Sequence, residues 1–263
     1  MKANYHTHTK RCHHAIGNDE DYVLAAIAGG FDEIGFSDHT PWKYDSDFVA
    51  HMRMKLSAFH EYKQSVLALK EKYKDQISIL LGLEAEYYPR YMDWLKQFVH
   101  DEHMDYIIFG NHYYRTDEDG IYFGTACSNE AYLDIYAKEC IKGMESGLYS
   151  YLCHPELFMR AYPRFDRHCE RITKEICMCA KHWNIPLEYN LAGLQYNVIN
   201  GIEEYPHHRF WEIAKDCGCS AIIGVDAHHY EALSDIRYWN QAVSYLDEEL
   251  HIKRIERLEH FGF

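Results

Sequence analysis

Residues 6–17 read His6-Thr7-His8-Thr9-Lys10-Arg11-Cys12-His13-His14-Ala15-Ile16-Gly17 and begin at the end of a predicted first strand. Open, doubly wound α/β sheets that bind nucleotides usually carry a glycine-rich first turn. Here the first turn is rich in imidazole instead, and imidazole is the commonest metal ligand among side chains. This stretch therefore favours a parallel β/α barrel with a metal site over an open phosphate-binding sheet.

Outward from this stretch, short apolar runs alternate with amphipathic segments, which indicates a parallel α/β architecture. One helix is predicted from the spacing of Leu133, Tyr136, Cys140 and Met144, and Gly147 is its expected stop. Further helices are predicted around residues 54–74, 169–179 and 210–218. The predicted strands number seven and comprise residues 3–8, 33–39, 79–87, 106–112, 149–154, 186–190 and 221–228.

The chain is 263 residues long and contains six prolines, with no low-complexity stretch or extended linker. Because barrels routinely reach this length as one domain, we expect residues 1–263 to form a single domain. The chain has Lys+Arg 27 against Asp+Glu 41, a formal charge of −14. This acidity argues against a nucleic-acid or anionic-membrane partner. No apolar run is long enough to cross a membrane and no signal peptide is evident, so a cytoplasmic location is expected.

The nine cysteines are an odd number and are spread along the chain. Reduced thiols are therefore expected rather than a disulfide framework. Cys177 with Cys179, and Cys217 with Cys219, are spaced as C-x-C rather than C-x-x-C, so packing inside the protein is favoured over a zinc ribbon.

Polar residues follow the predicted strands at the point where each strand ends. In a parallel barrel these ends converge on one face, where such proteins build their active sites. His6 and His8 share a face in an extended segment, as do Asp226 and His228, so each pair can bind one ion. The other strand ends supply Asp38 and His39, Glu84 and Glu86, Asn111 and His112, His154, and Glu188 and Asn190.

Gathering so many ionisable groups without compensation would cost about 1–3 kcal/mol for each unsatisfied group. Bound divalent cations remove this cost, so the sequence predicts a metal centre. His13, His14 and His229 stay undecided from spacing alone. The remaining histidines lie among charged neighbours in predicted helices or loops and are expected to be solvated: His51, His60, His100, His103, His168, His182, His207, His208, His251 and His260.

These motifs resemble the PHP (polymerase and histidinol phosphatase) superfamily, and within it the monofunctional histidinol-phosphatases. The resemblance runs from His6 to His228 and rests on H-T-H-T-x-x-C-x-H-A-x-G at residues 6–17, with F-S-D-H at 36–39, G-L-E at 82–84 and L-E-Y-N at 187–190. It implies a distorted TIM-like (β/α)7 barrel with two to three divalent metal ions. Gly110-Asn111-His112 departs from the family pattern and leaves the substrate open.

By this resemblance His6, His8, Glu84 and Asp226 hold a first metal, and Glu84 bridges to a second metal held by His112 and His154. His14, His39 and His228 hold a third. In the family motif the histidine before A-x-G is the ligand, which corresponds to His14 and not to His13. The native metal is open among Zn, Mn and Fe, since histidine and carboxylate sites accept all three.

The implied reaction is hydrolysis of L-histidinol phosphate to L-histidinol and phosphate, a step of histidine biosynthesis, through attack by a hydroxide that bridges two metals. Arg160, six residues beyond His154, is the expected phosphate ligand, and Arg115 and Arg164 are its competitors. Asp226 or His229 is expected to protonate the leaving group. Asp38 and Asn190 are expected to orient metal ligands, and Glu86 to contact a substrate ammonium.

Two alternatives stay open on the sequence. A related phosphoesterase could act on another small phosphorylated metabolite, a phosphodiester or a nucleotide, and a metal-binding protein could have lost catalysis. Loops 41–53 and 113–128 are aromatic and acidic, which suits a cationic substrate. The oligomeric state is also open, a homo-oligomer included.

Overall fold

The computed structural model describes residues 1–162 and 164–258. Its seven strands pair in parallel and form two sheets, in the orders β1-β2-β3-β4 and β5-β6-β7. The strands are β1 Ala3–Asn4, β2 Glu33–Phe36, β3 Ser78–Ala85, β4 Tyr106–Phe109, β5 Leu187–Asn190, β6 Ser220–Gly224 and β7 Lys253–Ile255.

Backbone bridges join the two sheets into a ring. Leu152 pairs in parallel with both Phe109 and Leu187, and so fills the position between β4 and β5. On the other side Thr7 pairs with Ala227, where the His8 N–H donates to the Ala227 carbonyl at 3.0 Å. The result is a distorted TIM-like barrel, which confirms the predicted fold class.

The strands differ from the predicted ones in three ways. Residues 149–154 form no regular strand, because only Leu152 bridges both neighbours before His154 turns the chain with a φ of 27°. Strand β7 is absent from the prediction, since three residues of Lys-Arg-Ile show no strand pattern. Regular pairing also stops before the polar residues, as in β1, which ends at Asn4, so most of them lie just past the strands.

The helices lie between the strands along the chain, and the four predicted helical regions are confirmed. Asn129 caps the helix that carries Leu133 to Met144, and Gly147 follows its end with a φ of 68°. The helices are α1 Asp19–Ala28, α2 Phe59–Lys72, α3 Met92–Asp101, α4 Phe123–Ala126, α5 Glu130–Glu145, α6 Arg167–Trp183, α7 Leu191–Asn200, α8 His208–Asp216, α9 Glu231–Ser234 and α10 Ile236–Val243. Among the described residues, none of these helices is long and apolar enough to span a membrane.

A small apolar cluster packs together from β1, β4, β6 and the Leu152 segment, and it includes Tyr5, Tyr106 and Tyr151. The Tyr106 hydroxyl donates to the Tyr5 carbonyl at 2.8 Å. A side chain at Gly82 would lie 2.4 Å from the Tyr106 ring, so the glycine makes room for it. The packed barrel core thus forms a firm support for the polar residues that follow the strands.

Candidate metal centre

Glu84, on β3, is the carboxylate around which the predicted ligands gather. It is 1% exposed. Its Oε1 lies 3.2 Å from His112 Nε2 and 3.0 Å from His154 Nε2. Its Oε2 lies 2.9 Å from His39 Nδ1 and 3.6 Å from both His6 Nε2 and His8 Nε2. One carboxylate therefore faces five imidazoles delivered by four different segments of the barrel.

Asp226 joins the two histidines of the first turn on the other side of the barrel mouth. Its Oδ1 lies 3.4 Å from His6 Nε2 and 3.2 Å from His8 Nε2. The residue has a φ of 52°, an uncommon left-handed conformation for aspartate that needs support from its surroundings. Residues 6, 8 and 226 come from the two ends of the chain and meet where Thr7 bridges Ala227.

His14 and His228 complete the arrangement at its solvent side. Their Nε2 atoms lie 2.9 Å apart, and the His228 ring stacks on His8 with centroids 4.0 Å apart. His8, His39 and His228 are near enough to hold a common ion. His13 is exposed and ends a short 3₁₀ turn, so the structure brings His14, and not its neighbour, to the cluster.

The spacing of the donor atoms suits metal coordination better than hydrogen bonding between them. Several buried atoms lie near another polar atom but make no well-directed hydrogen bond, among them His8 Nδ1, His39 Nδ1, Glu84 Oε2 and Asp226 Oδ1. Ring nitrogens also face each other in pairs, as at His6 and His8, whose Nε2 atoms are 3.1 Å apart. Nitrogen ligands about 2.0–2.1 Å from zinc lie about 2.9–3.4 Å apart at ordinary coordination angles. The observed spacings match that range.

The electrostatics of the cluster point the same way. Burial works against ionisation of Glu84, yet the facing histidines, His112 foremost, outweigh it and hold the pKa of Glu84 well below its usual range. Burial is likewise overcome at Asp226, where His6, His228 and His8 lower the pKa. Burial lowers the pKa of His39 well below its ordinary value, which leaves a neutral imidazole. At His6, His8 and His112 the carboxylates outweigh burial and raise the pKa, that of His8 to about 8. Protons on these rings therefore balance the carboxylates in the metal-free protein, and metal binding would displace them.

Comparison with known proteins places this arrangement in a family. The sequence profile of the PHP domain matches residues 4–192, which include seven of the nine clustered donors. The chain belongs to the PHP family. The resemblance drawn from the residues 6–17 motif is thereby confirmed, and Asp226 and His228 lie beyond the matched range.

Several relatives cover most of this PHP chain. The "probable histidinol-phosphatase" of Deinococcus radiodurans is 27% identical over 232 residues, 85% of each chain. The histidinol-phosphatase of Bacillus subtilis is 25% identical over 253 residues, 87% of this chain and 94% of its own. A solved structure of histidinol phosphate phosphatase from Lactococcus lactis, in complex with zinc, L-histidinol and phosphate, superposes with a TM-score of 0.75 at 22% identity. It covers 97% of this chain and 95% of its own, and shows the shared fold.

Glu188, on β5, holds two of the clustered histidines from behind and was not assigned a role from the sequence. Its Oε1 accepts from His6 Nδ1 at 2.7 Å, and its Oε2 accepts from the His154 backbone N–H at 2.9 Å. Asn190 Nδ2 donates both to Glu188 Oε2, at 2.9 Å, and to Asp226 Oδ2, at 3.1 Å. Such partners fix the tautomer and orientation of metal-ligating groups.

Asp38 and Glu86 also lie behind the clustered histidines. Asp38 accepts from the Thr9 hydroxyl and from the His39 backbone N–H at 2.8 Å, and its Oδ1 lies 3.7 Å from His8 Nδ1. Glu86 is buried and accepts from His112 Nδ1 at 3.0 Å. The prediction that Asp38 and Asn190 orient the cluster fits these contacts. Glu86 does not face open space, so the structure does not support its contact with a substrate ammonium.

Two glycines give these carboxylates room. A Cβ atom at Gly110, just after β4, would lie 2.2 Å from Glu84 Oε1. A Cβ atom at Gly224, the last residue of β6, would lie 1.8 Å from Glu188 Oε1. Both separations are far below any van der Waals contact, so a side chain at either position would push a carboxylate off its histidine partners.

A cavity of about 380 Å³ opens above the cluster. Its walls beyond the clustered residues are Met52, Tyr122, Leu157, Arg160 and Tyr205. The Arg160 guanidinium is exposed at the rim, and its Nη1 donates to the Tyr122 hydroxyl at 3.4 Å. One cation therefore faces the predicted metal ligands across the cavity.

The other predicted substrate residues lie elsewhere. Arg115 and Arg164 are exposed and do not line this cavity, so the structure brings neither to the cluster. His229 lines an adjoining cavity of about 330 Å³, which shares His14, Asp226 and His228 with the first. Its Nδ1 lies 3.8 Å from Glu231 Oε2, and the residue does not line the cavity that contains Arg160.

Two further predictions concern residues outside the cluster. Of the histidines expected to be solvated, His207 is instead buried, because it caps α8 and stacks on Phe165. His260 lies outside the described residues.

All nine cysteines are free thiols, as expected from the sequence. Cys177 and Cys219 are packed in the interior, which agrees with the packing interpretation.

Proposed function

We propose that this protein is a metal-dependent phosphomonoesterase that hydrolyses L-histidinol phosphate to L-histidinol and phosphate. The observation that carries the proposal is that eight of the nine proposed metal ligands line one cavity together with Arg160, and the ninth, His6, contacts Glu84 and Asp226 of that lining. Membership of the PHP family supports it. So do the histidinol-phosphatase relatives, which match most of the chain from Deinococcus radiodurans and Bacillus subtilis.

The clustered residues divide into three proposed ligand sets. His6, His8, Glu84 and Asp226 form the first, Glu84 with His112 and His154 the second, and His14, His39 and His228 the third. The donor set fits divalent metal ions, and we propose two or three ions of Zn, Mn or Fe. Bound divalent ions supply an ionised water as nucleophile near neutral pH and neutralise charge on the phosphoryl oxygens.

Arg160 is the proposed phosphate ligand of the protein itself. A phosphate ester dianion is among the slowest substrates to hydrolyse without a catalyst, because its charge repels nucleophiles. The guanidinium can donate two parallel hydrogen bonds to phosphate oxygens, and Tyr122 supports it from the side. The phosphate would therefore lie between Arg160 and the clustered donors.

Asp226 is the proposed group for proton transfer. Its Oδ1 makes no well-directed hydrogen bond, and nearby histidines hold its pKa well below the usual range despite burial, so the carboxylate is ionised. So low a pKa makes the carboxylate a weak base but, once protonated, a strong acid, so Asp226 would relay a proton at Oδ1 from the water to the leaving oxygen of the substrate. His229 faces the adjoining cavity, and we favour Asp226 for this role.

The proposal is tested with the purified, metal-loaded protein on a panel of small phosphoesters that includes histidinol phosphate, sugar phosphates, nucleotides and a phosphodiester. Histidinol phosphate is expected to give the highest kcat/KM. Arg160→Met should depress that value, while Arg164→Met, which changes an exposed arginine outside the cavity, should not. A higher kcat/KM for another phosphoester would overturn the substrate assignment. If no ester is hydrolysed, the proposal that the protein is a phosphoesterase is wrong.

A further inference from the structure

Arg53 is an arginine with 1% exposure that lies behind the cavity wall. Its Nη1 and Nη2 donate to Glu86 Oε2 and Oε1 at 3.1 and 2.8 Å. The same Nη1 donates to the Thr40 carbonyl at 3.1 Å, and Nε donates to Asp117 Oδ2 at 2.9 Å. A planar guanidinium thus meets acceptors from three separate segments, after β2, β3 and β4.

The Glu86 contact leads directly to the metal centre. Glu86 Oε1 accepts from His112 Nδ1 at 3.0 Å, while the other ring nitrogen, Nε2, lies 3.2 Å from Glu84. The His112 ring is therefore held between two carboxylates that are two residues apart. Because the Nδ1 proton points to Glu86, the lone pair of Nε2 is left for the metal centre.

The Asp117 contact leads to the cavity rim. Asp117 lies in the loop after β4 and also accepts from the hydroxyl of Tyr44, in the loop after β2, at 2.8 Å. A second tie between the same loops joins Ser46 to Glu118 at 2.5 Å. Met52, the residue before Arg53, lines the cavity and lies 3.0 Å from the Tyr113 hydroxyl.

We propose that Arg53 is a positioning residue that fixes His112 through Glu86 and ties the two rim loops to the metal centre. The inference rests on the proposed function and adds a residue to it that touches neither metal nor phosphate. Lysine could not replace it, because a point charge with three donors lacks the flat fork that reaches Glu86 twice and Asp117 once. A substitution here should loosen a metal ligand even though the ligand itself is unchanged.

The test compares Arg53→Lys with Arg254→Lys. Arg254, on β7, makes the same kind of fork with Asp247, so it is a matched control. Metal-free proteins are titrated with zinc in competition with a coloured chelator, and kcat and KM are measured at limiting and at excess zinc. Arg53→Lys should weaken the weakest-bound zinc about 10–100-fold and lower kcat at limiting zinc, with recovery in excess zinc. Arg254→Lys should match the wild type.

Glu86→Gln provides a second variant should Arg53→Lys fold poorly, because it breaks the same path nearer the metal while keeping the shape of the side chain. It should show the same loss of zinc affinity. If both variants fold, by thermal melting of the metal-free proteins, and bind every zinc as tightly as the wild type, the proposal is wrong. Zinc affinity is measured without substrate. A wild-type protein that binds zinc but does not hydrolyse histidinol phosphate would therefore contradict the proposed function and leave the role of Arg53 intact.

Discussion

Glu188→Gln tests whether Glu188, which lies behind the clustered histidines, orients the proposed metal ligands. Glu188 accepts three hydrogen bonds: from His6 Nδ1 at 2.7 Å, from the His154 backbone N–H at 2.9 Å and from Asn190 Nδ2 at 2.9 Å. Glutamine has the same shape but only one accepting oxygen. If that oxygen faces His6, its amide group faces two other donors, and if it faces those donors, His6 loses its partner.

The size of the effect follows from these contacts. A hydrogen bond to a charged group is worth about 1.5–3 kcal/mol, and at least one is lost in either orientation of the amide. That free energy corresponds to about a 10–150-fold loss of affinity, since each 1.4 kcal/mol is a factor of ten. In the metal-free protein Asp226, Glu188 and Glu84 raise the pKa of His6 well above its ordinary value despite burial. After the substitution Asp226 and Glu84 still face this ring, whereas in the loaded protein they face the metal, so the metal-free protein should lose less.

The assay is thermal melting with and without saturating zinc, together with zinc affinity by chelator competition. Glu188→Gln should shrink the rise in melting temperature that zinc produces. Glu139→Gln, which removes a buried carboxylate of α5 that pairs with Lys142, should leave that rise intact. Equal zinc affinity and an equal melting shift in Glu188→Gln and wild type would refute the idea that Glu188 orients metal ligands.

Three other changes have defined outcomes. Gly224→Ala should weaken zinc binding in the chelator assay at least as much as Glu188→Gln, because its Cβ would lie 1.8 Å from Glu188 Oε1; normal zinc binding would contradict the packing argument. Arg160→Met should lower kcat/KM about 10–100-fold through lost phosphate hydrogen bonds, with zinc content unchanged; a loss of zinc instead would argue against a phosphate ligand. Burial raises the pKa of Glu156 well above its usual range, so ionisation should destabilise the folded protein as pH rises above about 4.3. The stability gained by Glu156→Gln in urea unfolding should therefore grow from pH 5 to pH 8, and parallel curves would contradict this.

The predicted donors came together because they share a simple physical rule. Residues that follow buried parallel strands must collect at one end of a barrel, whatever their distance along the chain. His6 and Asp226 meet in this way although β1 and β6 lie at opposite ends of the sequence. The alternation of strands and helices predicted the barrel for the same reason, although residues 149–154 form no regular strand and contribute only the bridging residue Leu152.

The supporting contacts were harder to predict because no periodic pattern specifies them. Glu188 follows the polar strand-end rule, yet nothing local shows that its partner is His6, 182 residues away. Arg53 lies in a loop whose sequence looks like any polar barrel rim, and its contacts depend on how two loops fold against each other. The charged neighbours of His207 in the sequence are typical of a surface histidine, but the residue is buried because it caps α8 and packs against Phe165.

The central claim is that the nine clustered side chains hold metals that enable hydrolysis of histidinol phosphate. The most direct measurement is the rate of phosphate release from histidinol phosphate as metal is added stepwise to metal-free protein. The account predicts no turnover without metal, and a rate that rises and levels off at two to three equivalents per chain. Full activity without metal, or none at any metal content in a protein that binds the metal, would contradict it.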